Sequence, residues 1–480
     1  MGTNKRPNIV MIIMDECKWN VLGSYGNTDA YTPHIDRLAS QGRQFEHAYV
    51  TFPKCVPSRA ALMTGRYPHV EGHRTLPGFE VRKGENNLVL ELKKAGYTTG
   101  IFGKNHTLEG EFLSECFDEK GIRWGKGVPR DRREFETDDS LFRAFYRGEF
   151  SEIDEMADTL STRDAIDFIE RRSQEDQPFF LLLNYLFPHP PYADIEPYIS
   201  IIRERNIKLP VRADINSAPQ ILQVYREVYD LEHLKDEDWR KVVEAYYSMV
   251  SYVDDQIEKM VKSIDNAQIA EDTVLILTSD HGDFAGEHVG VEKWDTMFYD
   301  CLVRVPLIIR WPGVIAAGRT DAMTENIDLA PTLLELCGLD AQDWMQGKSL
   351  YKLLMGETDS HKEEVFCEGG VEESALTRTV MLDSEDHKKR QPNYHWKQQL
   401  IVEYPWTIYR AKMIRTRRWK LVYRINGIKE LYDLLHDPLE LRDVAHLSEN
   451  KEVVSELLER LLNWTIRTET DYPRIDKMYS

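Results

Sequence analysis

The chain has 480 residues, 42% of them hydrophobic, which is enough for one large core and a smaller satellite unit. Its formal charge of −20 argues against a nucleic-acid partner, because counterion release needs a basic surface. Any anionic ligand must therefore be held by local cations.

The polar start Met1 to Arg6 leads into the apolar run Ile9 to Met14, which ends at Asp15 and Glu16. That run is too short to span a bilayer or to form a signal core, so no membrane partner is expected. With no export signal in this chain, the expected location is the cytoplasm, the alternative being that such a signal has been removed. Further short aliphatic runs follow at Thr98 to Phe102, Phe179 to Asn184, Thr273 to Leu277 and Leu307 to Arg310, each stopping at a polar cluster. All five read as buried parallel strands. Between them, Val242, Tyr246, Met249, Val253, Ile257 and Met260 recur at helical spacing in Trp239 to Ile264. The alternation predicts an α/β layered sheet with helices on both faces.

Near residue 360 the character changes, which divides the chain into a large unit at 1–360 and a small C-terminal unit at 361–480. The latter carries a charged segment, Asp383 to Gln391, two strand candidates at Ala411 to Thr416 and Trp419 to Ile425, and a closing helical pattern at Lys451 to Trp464. A small antiparallel sheet is expected there. Arg410 to Lys429 holds eight basic and no acidic side chains. It reads either as a subsite for an anionic substrate or, the reading favoured here, as an exposed sheet face. The six cysteines, Cys17, Cys55, Cys116, Cys301, Cys337 and Cys367, form no CxxC pair. They point to neither a zinc site nor a disulfide framework, and so to a reducing compartment.

Ligands of open parallel sheets bind beyond the carboxyl ends of the strands. Those ends carry Asp15 and Glu16, Lys104 and His106, His189, and Asp280 and His281. The oxygen ligands of Asp15, Glu16 and Asp280, with His281 beside them, suit a hard divalent cation better than thiolate zinc. Cys55-Val56-Pro57-Ser58-Arg59 runs into Ala60 to Thr64 and then Gly65, a helix stop signal. Cys55 is therefore expected at a helix N-terminus, where backbone N–H groups favour an anion, with Arg59 about one turn on.

Cys55-Val56-Pro57-Ser58-Arg59, with Thr64-Gly65-Arg66 downstream, resembles the signature of the type I, formylglycine-dependent sulfatases of the alkaline-phosphatase-like superfamily. The resemblance continues through Pro7 to Asp15, Gly103-Lys104-Asn105-His106, Pro188-His189-Pro190, Ser279-Asp280-His281-Gly282 and Lys293 ahead of Arg304-Val305-Pro306. Trp419-Lys420-Leu421 and Glu430-Leu431-Tyr432-Asp433 resemble the family's small C-terminal domain, which helps to shape the substrate pocket.

The resemblance implies an alkaline-phosphatase-like α/β fold and conversion of Cys55 to formylglycine by a maturation enzyme. It implies one divalent cation, usually Ca2+ with Mg2+ or Mn2+ compatible, bound by Asp15, Glu16, Asp280, His281 and the modified Cys55. Arg59, Lys104 and His106 would hold the formylglycine hydrate. Lys104, His189 and Lys293 would contact the sulfate or the leaving group. Glu16 stands where the family usually has Asp or Gln, and Asn105 where Trp is frequent.

A thiolate attacking sulfur would end in a stable thiosulfate ester, whereas a hydrated aldehyde offers one hydroxyl for attack and a second for release. Metal coordination and a base such as Asp280 promote loss of the attacking proton, and His189 or Lys293 can protonate the departing alcohol. The expected activity is hydrolysis of a sulfate monoester on a small molecule or sugar. The alternatives are a phosphonate monoester or phosphodiester hydrolase of the same superfamily, and a non-catalytic protein that binds sulfated ligands.

Overall fold

The computed structural model describes residues 6–74, 80–123, 140–150, 153–212, 215, 218–372 and 395–469. Fifteen strands occur among them: β1 (Asn8–Asp15), β2 (Arg43–Tyr49), β3 (Thr98–Gly103), β4 (Glu119–Ile122), β5 (Tyr146–Phe150), β6 (Phe179–Pro188), β7 (Tyr192–Ile195), β8 (Thr273–Ser279), β9 (Arg304–Val305), β10 (Leu307–Arg310), β11 (Gly318–Glu325), β12 (Glu364–Gly369), β13 (Ala411–Thr416), β14 (Trp419–Arg424) and β15 (Lys429–Asp433). The large sheet has the order β11-β2-β10-β8-β1-β6-β3-β4, with β9 pairing β2. β12 to β15 form a separate antiparallel sheet, in which β12 and β15 are strands additional to those expected.

The centre of the large sheet explains the apolar runs. β1 pairs in parallel with both β6 and β8 and is buried along its whole length. Val10, Ile12 and Met14 enter one core, whereas Ile9, Met11 and Ile13 enter the core on the opposite face. Alternate side chains thus serve two helical layers, and from Ile9 to Met14 no position is left for a polar residue. The first layer contains the 31-residue helix Asp236–Asn266, whose Val242, Tyr246, Met249 and Val253 lie in the same core as Val10. The second contains α1 (Cys55–Thr64), through Ala60, Leu62 and Met63.

Leu307–Arg310 departs from the expected parallel arrangement. β10 runs antiparallel to both β8 and β2. The connection explains this: the segment after Ser279 stays at the carboxyl edge, and Leu307 returns opposite Thr278. A parallel strand would have required a crossover to the other edge.

The basic stretch is a second correction. Arg415, Lys420 and Arg424 are buried rather than displayed on an open face. Lys420 Nζ lies 2.7 Å from Asp300 and 2.5 Å from Glu440, Arg424 lies 2.6 Å from Glu430, and Arg415 lies 3.5 Å from Asp300. Buried cations persist only when paired in this way. Exposed Arg418 pairs with Asp433. The charged segment Asp383 to Gln391 lies outside the described residues.

The closing helix Lys451–Thr468 covers the small sheet with Leu457, Leu461 and Trp464, in a cluster that also contains Ala61 of α1 and Tyr67. The small sheet is therefore packed against the segment that carries Cys55. No described helix is long and apolar enough to cross a membrane.

Candidate active site

Cys55 is the first residue of α1, and Lys54 before it is extended. Pro57 is tolerated because the first turn has no carbonyl partner for its missing N–H. The helix ends at Gly65 (φ 64°), whose N–H donates to the Ala61 carbonyl. Ser58 Oγ donates to the Asp280 carbonyl, which ties the helix to the end of β8. Asn326 Nδ2 donates to both Ser58 oxygens, and Asn326 Oδ1 accepts from Thr51, which locks the segment entering the helix.

The expected residues converge. Cys55 Sγ lies 3.2 Å from His281 Nε2, 3.7 Å from Asp15 Oδ1 and 4.0 Å from Lys104 Nζ. Arg59 donates to Asp280 at 2.7 Å and to Asp15 at 3.1 Å, and Lys104 Nζ lies 2.5 Å from Asp15. Ligand atoms of Asp15, Cys55, Asp280 and His281 all lie within 4.8 Å of one another, and all four residues are buried. His281 Nδ1 faces the Gly282 carbonyl at 2.9 Å; it must donate there, which leaves the Nε2 lone pair turned to the cluster.

Glu16 occupies the neighbouring side. It groups with Asp15 and His189. Its Oε2 accepts from Lys293 Nζ at 2.7 Å, while Oε1 is buried without a hydrogen-bond partner. Lys293 Nζ also lies 3.0 Å from His189 Nε2. His189 Nδ1 lies 2.6 Å from the Pro190 carbonyl, so the ring donates there and Nε2 accepts from the lysine. His106 is half-buried, and Lys104, Asp15, Arg59 and His189 act on its charge.

Burial and opposite charges set the protonation states. Burial disfavours the Asp15 carboxylate, but Lys104, His189 and Arg59 outweigh it and hold the group well below its usual range. Burial raises Glu16 against the pull of Lys293. Burial opposes the charge of Lys104, but Asp15 raises its pKa overall. Burial and then Lys293 push His189 down, and burial and then Lys104 do the same to His106. The Cys55 thiol is pushed up to about 11 by burial, with Asp15 adding to the effect.

Two glycines permit this convergence. At Gly103 (φ 89°) a Cβ would lie 2.0 Å from the Asn184 carbonyl oxygen, the same oxygen that accepts the Lys104 N–H. At Gly282 a Cβ would lie 1.9 Å from the Cys301 carbonyl oxygen. Both sit beside an expected site residue, which is a signal present in the sequence. Other supports carried no such signal: Asn326, Asp158, whose carboxylate accepts the Leu186 and Phe187 N–H groups ahead of His189, and the phenols of Tyr192 and Tyr246.

Residues 7–339 match the family described as Sulfatase, which covers β1, α1 and every expected site residue. The chain is 27% identical over 480 residues to an uncharacterized sulfatase, YidJ, of Escherichia coli, covering 96% of this chain and 87% of that protein. It is 25% identical over 521 residues to an N-acetylglucosamine-6-O-sulfatase of Bacteroides thetaiotaomicron, covering 95% and 86%. The solved structure of a phosphonate monoester hydrolase from Silicibacter pomeroyi superposes with a TM-score of 0.77 at 21% identity, covering 96% of each chain. At that identity the superposition establishes the alkaline-phosphatase-like fold alone. With the family match running through the buried Asp15, Cys55, Asp280 and His281 cluster, the chain is a hydrolase belonging to the sulfatase family.

Proposed function

We propose that this enzyme hydrolyses sulfate monoesters with Cys55, oxidised to formylglycine, as its nucleophile beside a divalent cation. One observation carries the reading: Cys55 heads a buried helix among the metal-ligand atoms of Asp15, Asp280 and His281, with Lys104 Nζ 4.0 Å from its Sγ. In place of the thiol, a hydrated formylglycine supplies one hydroxyl to attack sulfur and a second whose release regenerates the aldehyde. Its formation requires a formylglycine-generating maturation enzyme.

The donor set fits a cation: two carboxylates, an imidazole with its lone pair turned inward, the Cys55 side chain and the unpartnered Glu16 Oε1. Asp15, Asp280, His281, Glu16 and the modified Cys55 would hold it, and the oxygen-rich set favours Ca2+ over Mg2+ or Mn2+. Such an ion supplies Lewis-acid polarisation and lowers the pKa of a coordinated hydroxyl.

The chain's own residues account for the remaining tasks. Arg59, Lys104 and His106 would hold the hydrate, with Arg59 fixing the two carboxylates that flank it. Asp280 would take the proton of the attacking hydroxyl. Lys104 and Lys293 would neutralise charge on the sulfuryl oxygens. Lys293 donates to His189 Nε2, so this pair presents a proton on Nζ to a departing alcohol. A sulfated sugar is a candidate substrate because the Bacteroides relative is named for one.

We also assign 1–360 to the catalytic unit and 361–480 to a C-terminal unit bordering the pocket, a division supported by the start of the small sheet at Glu364. The six cysteines are buried and unpaired, which supports a reducing, cytoplasmic setting.

The test is kcat/KM for matched aryl sulfate, phosphate monoester and phosphonate monoester substrates, using protein with verified Cys55 conversion. A sulfate preference is expected, since a phosphate monoester approaches two negative charges near neutral pH, its second pKa being about 6. A preference for the phosphonate, a monoanion like the sulfate, would overturn the assignment in favour of phosphonate ester hydrolysis.

A further inference from the structure

Lys293 is flanked by two glutamates whose backbones are unusual. Glu16 (φ 69°) and Glu292 (φ 57°) both lie in the left-handed region, which is unfavourable for a residue with a long side chain. Each side chain meets the same ammonium: Lys293 Nζ is 2.7 Å from Glu16 Oε2 and 3.2 Å from Glu292 Oε1. Such conformations persist only where the surroundings over-determine them.

Two buried phenols provide that constraint. The Tyr192 hydroxyl accepts the Glu292 N–H at 2.8 Å and donates to the Asp283 carboxylate, with its oxygens at 2.7 and 2.9 Å. The Tyr246 hydroxyl donates to the Glu16 carbonyl at 2.8 Å and accepts the Lys18 N–H at 3.0 Å. Their rings meet edge to face, with centroids 6.0 Å apart at 83°. One aromatic pair thus grips both strained glutamates from behind. Tyr192 also lies three residues after His189, so its phenol joins the segments carrying His189, Lys293 and His281. Tyr225 reinforces the grip, since its hydroxyl donates to the Val291 carbonyl and accepts the Val291 N–H.

We propose that Tyr192 and Tyr246 are positioning residues for Lys293, holding Glu292 and Glu16 in left-handed backbone so that the ammonium is fixed beside His189. Neither phenol acts on the reacting atoms. Removing the Tyr192 hydroxyl leaves the Glu292 N–H buried without its acceptor, and the backbone can then relax towards ordinary φ, which carries Lys293 away. The proposal rests on Lys293 serving the hydrolysis proposed above.

The test compares wild type, Tyr192→Phe, Lys293→Ala and the double variant, all with converted Cys55. Tyr192→Phe should lower kcat by about tenfold or more with little change in KM, since misplacement near 1 Å can cost about a hundredfold. In the Lys293→Ala background it should have no further effect, because both changes remove the same contribution. Amide exchange across 284–293 should rise in Tyr192→Phe while the helix at 236–266 stays protected. Unchanged kcat, a fully additive double variant or unchanged exchange across 284–293 would overturn the proposal. If Tyr192→Phe does not fold, Tyr246→Phe carries the same two kinetic expectations through Glu16, with amide exchange rising across 16–18 in place of 284–293. A wild type inactive on all three esters would defeat the reading of function, and the exchange comparison would still decide the positioning claim.

Discussion

The Arg59 guanidinium donates to the Asp280 carboxylate at 2.7 Å with neither side chain open to solvent, although the two residues come from elements 221 positions apart. The same guanidinium reaches Asp15, so removing it leaves buried Asp280 without its cation and Asp15 with Lys104 alone. Arg59→Ala should cost about 3–5 kcal/mol of stability, the range for breaking a buried ion pair from one side. Urea unfolding of metal-free protein checks this, and a loss below about 1 kcal/mol would mean that the carboxylates find other partners. Arg59→Lys should recover little, because a point-charge ammonium cannot span both carboxylates as the planar guanidinium does.

The cluster of Asp15, Cys55, Asp280 and His281 predicts metal-dependent stability. Chelator treatment should lower the Tm, and Ca2+ at a hundred times its Kd should restore about 2.7 kcal/mol. Asp280→Asn should bind less than stoichiometric metal by elemental analysis and lose the response to chelator. Unchanged stoichiometry in that variant would place the ion elsewhere.

Unconverted Cys55 should resist alkylation. With its thiol pushed up to about 11 and its side chain buried, the thiolate is scarce at pH 8. Iodoacetamide should leave Cys55 unlabelled in native, metal-free protein and label it in urea, as read by peptide mass analysis. Rapid native labelling would contradict the burial of this helix start.

Asp158 supplies a pH dependence. Burial raises its carboxyl to about 7 against the two backbone N–H groups it accepts, whereas an unfolded Asp titrates near about 3.9. Between those values the folded state binds more protons than the unfolded state, so this group's contribution to stability falls as pH rises from about 4 to about 7. Asp158→Asn should flatten the decline between pH 5 and 7.5 in urea unfolding. An unchanged slope would mean that the carboxyl is already ionised throughout that window.

The central strands were legible because burial on both faces leaves uninterrupted aliphatic runs, as in Ile9 to Met14. The same criterion missed β2 and β11, where Arg43–Tyr49 and Gly318–Glu325 mix charged and apolar residues on the outer part of the sheet. It also gave no direction for Leu307–Arg310, since direction is set by the connection and not by the strand. The convergence of Asp15, Cys55, Arg59, Lys104, Asp280 and His281 was legible through polar clusters at strand ends and the Cys55 to Arg59 segment. Tyr192, Tyr246 and Asn326 were not, because a buried phenol or amide resembles any core residue until its backbone partner is known. The cations of Arg410 to Lys429 misled for a related reason: Asp300, which pairs with Lys420, is 120 positions away.

The most direct test of the account is to follow turnover of an aryl sulfate against the fraction of Cys55 converted, measured by peptide mass analysis across preparations made with increasing amounts of a formylglycine-generating enzyme. Conversion removes the sulfur of Cys55 and introduces a carbonyl. The account predicts activity proportional to conversion, extrapolating to zero at none, and no activity in Cys55→Ala. Undiminished activity in wholly unconverted protein, or in Cys55→Ala, would contradict it.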